Sequence, residues 1–138
     1  GPIMPKDREY MSLLKKSVKE AGLDTRVHFL GARPYSEIPS IYQEHDLFLN
    51  ISRTGSMDKA VLEAMAVGLN VISANEAYRQ VLPSPYFLEH VSPELLAERI
   101  KMVADFNRPN LKLRGIVVKD HSLKNTIGKI FDILSRPL

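Results

Sequence analysis

"DLFLNISRTGSMDKAVLEAMAVGLNVIS", residues 46–73, decides the fold. It opens on a nearly continuous apolar run, "DLFLNI" (46–51), typical of a strand covered on both faces. A polar loop follows, and then a segment with helical spacing from about Met57 to Val67, with Gly68 at its exit. "NVISA" (70–74) is a second strand. Strand, loop, helix and strand in this order predict an α/β layered domain with a mostly parallel sheet.

The flanks continue the alternation. Upstream, residues 7–21 place Tyr10, Leu13, Leu14, Val18 and Ala21 at helical spacing before Gly22, and "RVHFLG" (26–31) is strand-like. Ser36 is positioned to cap a helix with Ile38, Ile41 and Tyr42 on its inner face and Pro39 in its first turn. Downstream come a short helix near 76–82 and a brief strand, "YFLE" (86–89). Ser92-Pro93-Glu94 then starts a helix with a capping hydroxyl, a proline and a first-turn acid, and Leu96, Ile100 and Val103 form its apolar face. The last helix, about 122–135, is expected to bury Leu123, Ile127, Ile130, Phe131 and Leu134. "LKLRGIVVKD" (111–120) is ambiguous, because Val117 and Val118 favour a strand locally.

At 138 residues the chain suits one domain, and 44% apolar with 25% charged residues is an ordinary globular balance. No stretch approaches the length of an apolar membrane span, and no signal peptide is visible. The absence of cysteine removes disulfides and thiolate metal sites and fits a cytoplasmic protein. A net charge of +3 and a pI near 9.2 are mildly basic, with the cations scattered. No basic stripe interleaved with aromatics is present, so no nucleic-acid partner is expected. The charge favours a small anionic ligand or peripheral contact with an acidic membrane surface.

Open parallel sheets bind ligands beyond the carboxyl ends of their strands. The exits here are residues 31–34, 50–56 and 74–76, and the middle one is chemically the richest. Thr54-Gly55-Ser56 lets a ligand approach the backbone, and the helix beginning near Met57 offers N–H groups to a phosphate. Glu63 lies about 9 Å into that helix, where its two oxygens can accept both hydroxyls of a ribose. Lys59 is one turn earlier on the same face. The alternative is that Lys59 and Glu63, four apart, are an ordinary surface ion pair. Neither the phosphate-loop lysine motif nor the dinucleotide glycine fingerprint occurs. No acidic pair stands at metal-ligand spacing, and His28, His45, His90 and His121 are dispersed.

From "DKAVLEAMAVGLNVIS" outward, the chain resembles the C-terminal, nucleotide-sugar-binding domain of retaining GT-B glycosyltransferases of the group 1 type. "RVHFLG", "SEIPSIYQEHDLFLNIS", "TGSMDKAVLEAMAVGLNVIS" and "SPELLAERI" occur in that family's order and spacing, over residues 23–100. The resemblance implies a Rossmann-like parallel sheet flanked by helices and favours a helix at 111–120. It makes Glu63 the acid that holds the donor ribose, with Lys59 and Ala60 presenting the helix start to the diphosphate. Gly55, Ser56, Met57 and Asp58 would face the transferred sugar, and Arg33 and Pro34 would hold the nucleobase; for Arg33 a solvated loop charge is the alternative. The donor would be a UDP-, GDP- or ADP-sugar, with no metal and no further cofactor.

Two departures accompany the resemblance. The family motif has two glutamates: Glu63 matches the second, and Gly55 stands at the first, with Asp58 the nearest acid. Glu76 is the acid following "NVIS". The chain also opens directly on a helix after "GPIMPKD", so it is expected to be an N-terminally truncated half of a GT-B fold. Residues 1–138 would then be a single partial domain lacking the acceptor-binding N-terminal domain, and inactive alone. Gly1-Pro2 reads as a protease scar or as a native glycine turn. The rival readings are a GT-B-like nucleotide-sugar epimerase or phosphorylase-like protein, and a non-catalytic binding or assembly domain.

Overall fold

The structure is a computed structural model and describes residues 4–135; Gly1-Pro2, whose origin the sequence leaves open, lies outside them. The chain divides into two compact units, Gly1–Ile38 and Pro39–Leu138.

In the first unit a 3-10 turn, Pro5–Asp7, leads into α1 (Arg8–Glu20). The helix stops at Gly22, whose φ of +65° is open to glycine at little cost. The Leu23 amide reaches back to the Val18 carbonyl at 3.0 Å, which closes the last turn. Met11, Leu14 and Val18 are half-buried, and no residue of α1 is fully buried. Residues 26–31 are irregular rather than a strand. A strand exists only by pairing, and the amides of Arg26 and Val27 instead turn back to the Leu23 carbonyl at 2.9 Å. Ser36 is not a cap, because a 3-10 turn, Tyr35–Glu37, runs directly into α2 (Ile38–Gln43).

The second unit is built on the βαβ motif of residues 46–73. β1 (Leu47–Asn50) and β2 (Asn70–Ser73) pair in parallel, from Leu47 opposite Asn70 to Asn50 opposite Ser73. The crossover helix, α3 (Lys59–Ala66), begins two residues later than its periodicity implies, with Asp58 at the N-cap. Val61, Ala64 and Met65 form its inner face and are sealed against Val71 and Ile72 of β2. β2 is buried throughout, whereas Leu49 of β1 is 42% exposed, so β1 is not covered on both faces. Among the described residues β1 pairs with β2 alone, whereas β2 also carries a parallel bridge from Ser73 to Phe87. The expected strand at 86–89 reduces to that bridge, because the Tyr86 amide is already committed to a turn at the Pro83 carbonyl (2.9 Å).

α4 (Pro93–Ala104) starts as its sequence predicts, with the Ser92 hydroxyl accepting from the Leu95 amide at 3.2 Å. Val103 is buried, and Leu96 and Ile100 pack against the core. The ambiguous run is a helix, α5 (Leu111–Asp120), capped by Asn110. His121 ends it, and Ser122 caps α6 (Leu123–Leu134). α6 does not bury its apolar residues: Leu123 is 75% exposed, Phe131 70% and Leu134 78%, and Ile127 and Ile130 are exposed as well. Periodicity shows that a helix has an apolar stripe, but burial needs an opposing surface, and among the described residues none covers these side chains. Among the described residues, no helix is long and apolar enough to cross a membrane.

Candidate functional site

The carboxyl ends of β1 and β2 finish on Asn50 and Ser73, and their side chains bind each other: the Ser73 hydroxyl donates to Asn50 Oδ1 at 3.1 Å. The loop after β1 is drawn into the same cluster by Asp58. Its Oδ2 accepts from the Ser52 hydroxyl (2.7 Å), the Asn50 amide (2.9 Å) and the Asn75 amide (3.1 Å). The Ser52 hydroxyl and then the Asn50 amide hold the Asp58 carboxyl below the usual carboxylate range, partial burial opposes them, and Asn75 adds to the lowering. Asn75 also donates to the Ser56 carbonyl at 2.8 Å, and its own carbonyl oxygen caps the turn Glu76–Tyr78 at the Ala77 amide. Below them the buried Tyr78 donates its hydroxyl to the Asp58 carbonyl. Burial, and then the Asp58 charge, push the Tyr78 phenol up to about 12, so it remains a donor.

The clamp leaves the mouth of α3 open. Asp58 has extended backbone, and its side chain makes no cap bond to the helix. The first amides of a helix lack intrahelical partners and carry a partial positive charge, which makes them an anion site. Lys59 is the exposed first residue, and Ala60 is the half-buried second. Because the helix starts at Lys59, Glu63 stands about 6 Å along it rather than about 9 Å. Glu63 is half-buried rather than sealed in the core. Its Oε2 lies 3.5 Å from the Tyr42 hydroxyl, which also lies 3.3 Å from the Ala60 carbonyl. Tyr42 in turn packs edge-on to Phe48 at 5.7 Å.

Gly55, Ser56 and Met57 form the exposed rim before Asp58. Gly55 has a φ of +67°, so a glutamate there would require a strained backbone. Ser56 Oγ is 3.2 Å from Thr54 Oγ1. The second unit thus brings together Gly55, Ser56, Met57, Asp58, Lys59, Ala60 and Glu63. Arg33 and Pro34 belong to the first unit, where Arg33 pairs with Glu37 at 3.8 Å and both side chains are largely exposed. Among the described residues no cluster of three or more metal-ligating side chains occurs. The Asn50–Ser52–Asp58–Ser73–Asn75 clamp escaped the sequence reading. Its trace there is that both strands end on a polar residue, Asn50 and Ser73.

The family model of the group 1 glycosyl transferases matches residues 5–105. The chain belongs to that family, whose members transfer glycosyl groups, and its α/β architecture with a parallel sheet flanked by helices is Rossmann-like. No curated protein and no solved structure matches it.

Proposed function

We propose that the second unit is the donor-binding part of a retaining group 1 glycosyltransferase of the GT-B type, acting on a nucleotide diphosphate sugar. The diphosphate rests on the open mouth of α3 with Lys59 beside it, and Glu63 accepts the ribose hydroxyls. Amides and a cation that meet the charge of the departing diphosphate lower the barrier without a metal ion. The acceptor, whose hydroxyl takes the sugar, is bound by a separate N-terminal domain of the same protein, and the reaction belongs to the cytoplasm, with peripheral contact to a membrane. Without an acceptor domain the two substrates are not positioned, so the chain alone is inactive.

The observation that carries this reading is the uncapped start of α3 with a half-buried carboxylate one turn inside it, which the Tyr42 hydroxyl reaches at 3.5 Å. Titration with UDP, GDP and ADP, followed by NMR or calorimetry, tests it. One base is expected to bind best, and Glu63→Ala is expected to weaken it at least tenfold, the size of a lost charged hydrogen bond. Equal indifference to all three nucleotides would favour the non-catalytic alternative, which the glycine at the first motif position supports.

A further inference from the structure

The apolar side of α6 faces solvent. Leu123, Ile127, Ile130, Phe131, Ile133 and Leu134 are each between 49% and 78% exposed. At about 100° per residue they fall within an arc of roughly 160° around the helix axis. Thr126 is the polar residue inside that arc, and its hydroxyl donates to the Ser122 carbonyl at 3.1 Å. Lys124 and Lys129 stand just outside the arc, one at each border. The opposite face turns to α5, where Lys124, Asn125, Lys129 and Asp132 line one groove with Lys119 and Asp120. The Asn125 amide donates to the Val118 carbonyl across it at 3.3 Å. The helix therefore presents its polar side to its neighbour and its apolar side outward.

Charge selects what covers that side. Residues 111–138 hold six lysines and arginines against two acids, whereas residues 1–110 hold thirteen against fourteen. The whole positive balance of the chain, +3, thus lies on the segment that bears the apolar face. A second copy would bring like charge to like charge. The buried centre of a protein interface is depleted of lysine. A lipid surface suits the arrangement: apolar side chains enter the acyl boundary, and lysines at the borders reach back to anionic headgroups. With twelve residues α6 is about 18 Å long, so it lies along such a surface and does not cross it.

We propose that α6 is an interfacial helix that docks the protein on an anionic lipid bilayer. Phe131 and its aliphatic neighbours enter the acyl boundary, and Lys124 and Lys129 meet the headgroups. The inference gives a surface to the membrane contact of the proposed function and rests on that clause of it, not on donor binding. The docked helix belongs to the same unit as Glu63, and α5 ties it there, with Leu113 sealed in one core with Val61 and Met65 of α3.

Co-sedimentation of the protein at its natural length with vesicles tests it. The vesicles are phosphatidylcholine alone and an equal mixture of phosphatidylcholine and phosphatidylglycerol. Binding is expected to be at least tenfold tighter to the anionic vesicles and to weaken as salt is raised. Phe131→Glu is expected to weaken it about tenfold, and Lys124→Gln and Lys129→Gln about fivefold each. All three side chains are exposed, and an unchanged melting temperature confirms that the variants fold. Hydrogen exchange of the unaltered protein gives a second measurement: the amides of residues 127–134 should gain protection only when anionic vesicles are added. Equal binding to both vesicles, or binding that survives Phe131→Glu, overturns the proposal. So does the same protection before vesicles are added, the result expected if another segment of the protein or a second copy covers α6. Nucleotide titration keeps the two readings apart. Vesicle binding without nucleotide binding sinks the donor reading and keeps the interfacial helix, and nucleotide binding without vesicle binding does the reverse.

Discussion

The two ends of the β1–β2 ladder are both built from asparagine, and they do opposite things. At the amino end Asn70 and Asn110 are buried. Asn110 donates to Asn70 Oδ1 and to the Tyr86 hydroxyl, both at 2.7 Å, and accepts from the Leu113 amide to cap α5. Asn70 in turn reaches the Val103 and Phe106 carbonyls. Gly68 closes this end, with its carbonyl accepting from the Asn110 amide at 2.8 Å. At the carboxyl end Asn50 and Asn75 hold a clamp whose rim, from Arg53 to Met57, is exposed. A sealed polar cluster spends its hydrogen bonds on joining elements. An open one fixes a loop and leaves neighbouring groups exposed. The same residue type joins buried elements at one end and fixes an exposed loop at the other.

The contrast can be broken by substitution. The largest effect belongs to Gly68→Ala at the sealed end. A Cβ there would sit 2.6 Å from Pro109 Cβ at a φ of +81°, so both overpacking and backbone strain apply. A loss of about 3–4 kcal/mol is expected in denaturant unfolding. Asn110→Leu keeps the branched outline but removes the α5 cap and strands buried partners, for about 2–3 kcal/mol by the same measurement.

Asp58→Asn at the open end should cost least, about 1 kcal/mol near neutral pH. If it costs as much as Asn110→Leu, the two ends are equally structural and the contrast fails. Its pH dependence sharpens the comparison. The folded Asp58 pKa is depressed, so its stabilisation is complete above the unfolded carboxylate value and is lost as pH falls through the folded one. The stability difference between wild type and Asp58→Asn is therefore expected at pH 6 and should shrink steadily below about pH 4. A difference that stays constant down to pH 3 would mean that the negative charge does not hold the clamp.

Much of the second unit was legible beforehand because its signals are local. The Ser92-Pro93-Glu94 helix start needs only one turn of chain, and the strand–helix–strand order of residues 46–73 needs only its own periodicity. What failed needed partners. Residues 26–31 have strand composition without a ladder, α6 has an apolar stripe without an opposing face, and β1 has a core-like sequence at an edge. Near the strand ends, Glu63 stood out because a lone acid in an apolar helix is conspicuous, but Asn75 did not, since a polar residue in a loop is ordinary.

By itself the sequence determined the βαβ unit, the helix that carries Glu63 and membership in a sugar-transferring family, because periodicity, capping and motif spacing are properties of neighbouring residues. Only the tertiary structure decided that Asp58 gathers Asn50, Ser52 and Asn75 on one oxygen, that the Tyr42 hydroxyl reaches Glu63, and that Arg53 and Glu76 share a cavity. Those facts depend on bringing residues from separate strand exits to hydrogen-bonding distance, and sequence spacing does not encode that distance.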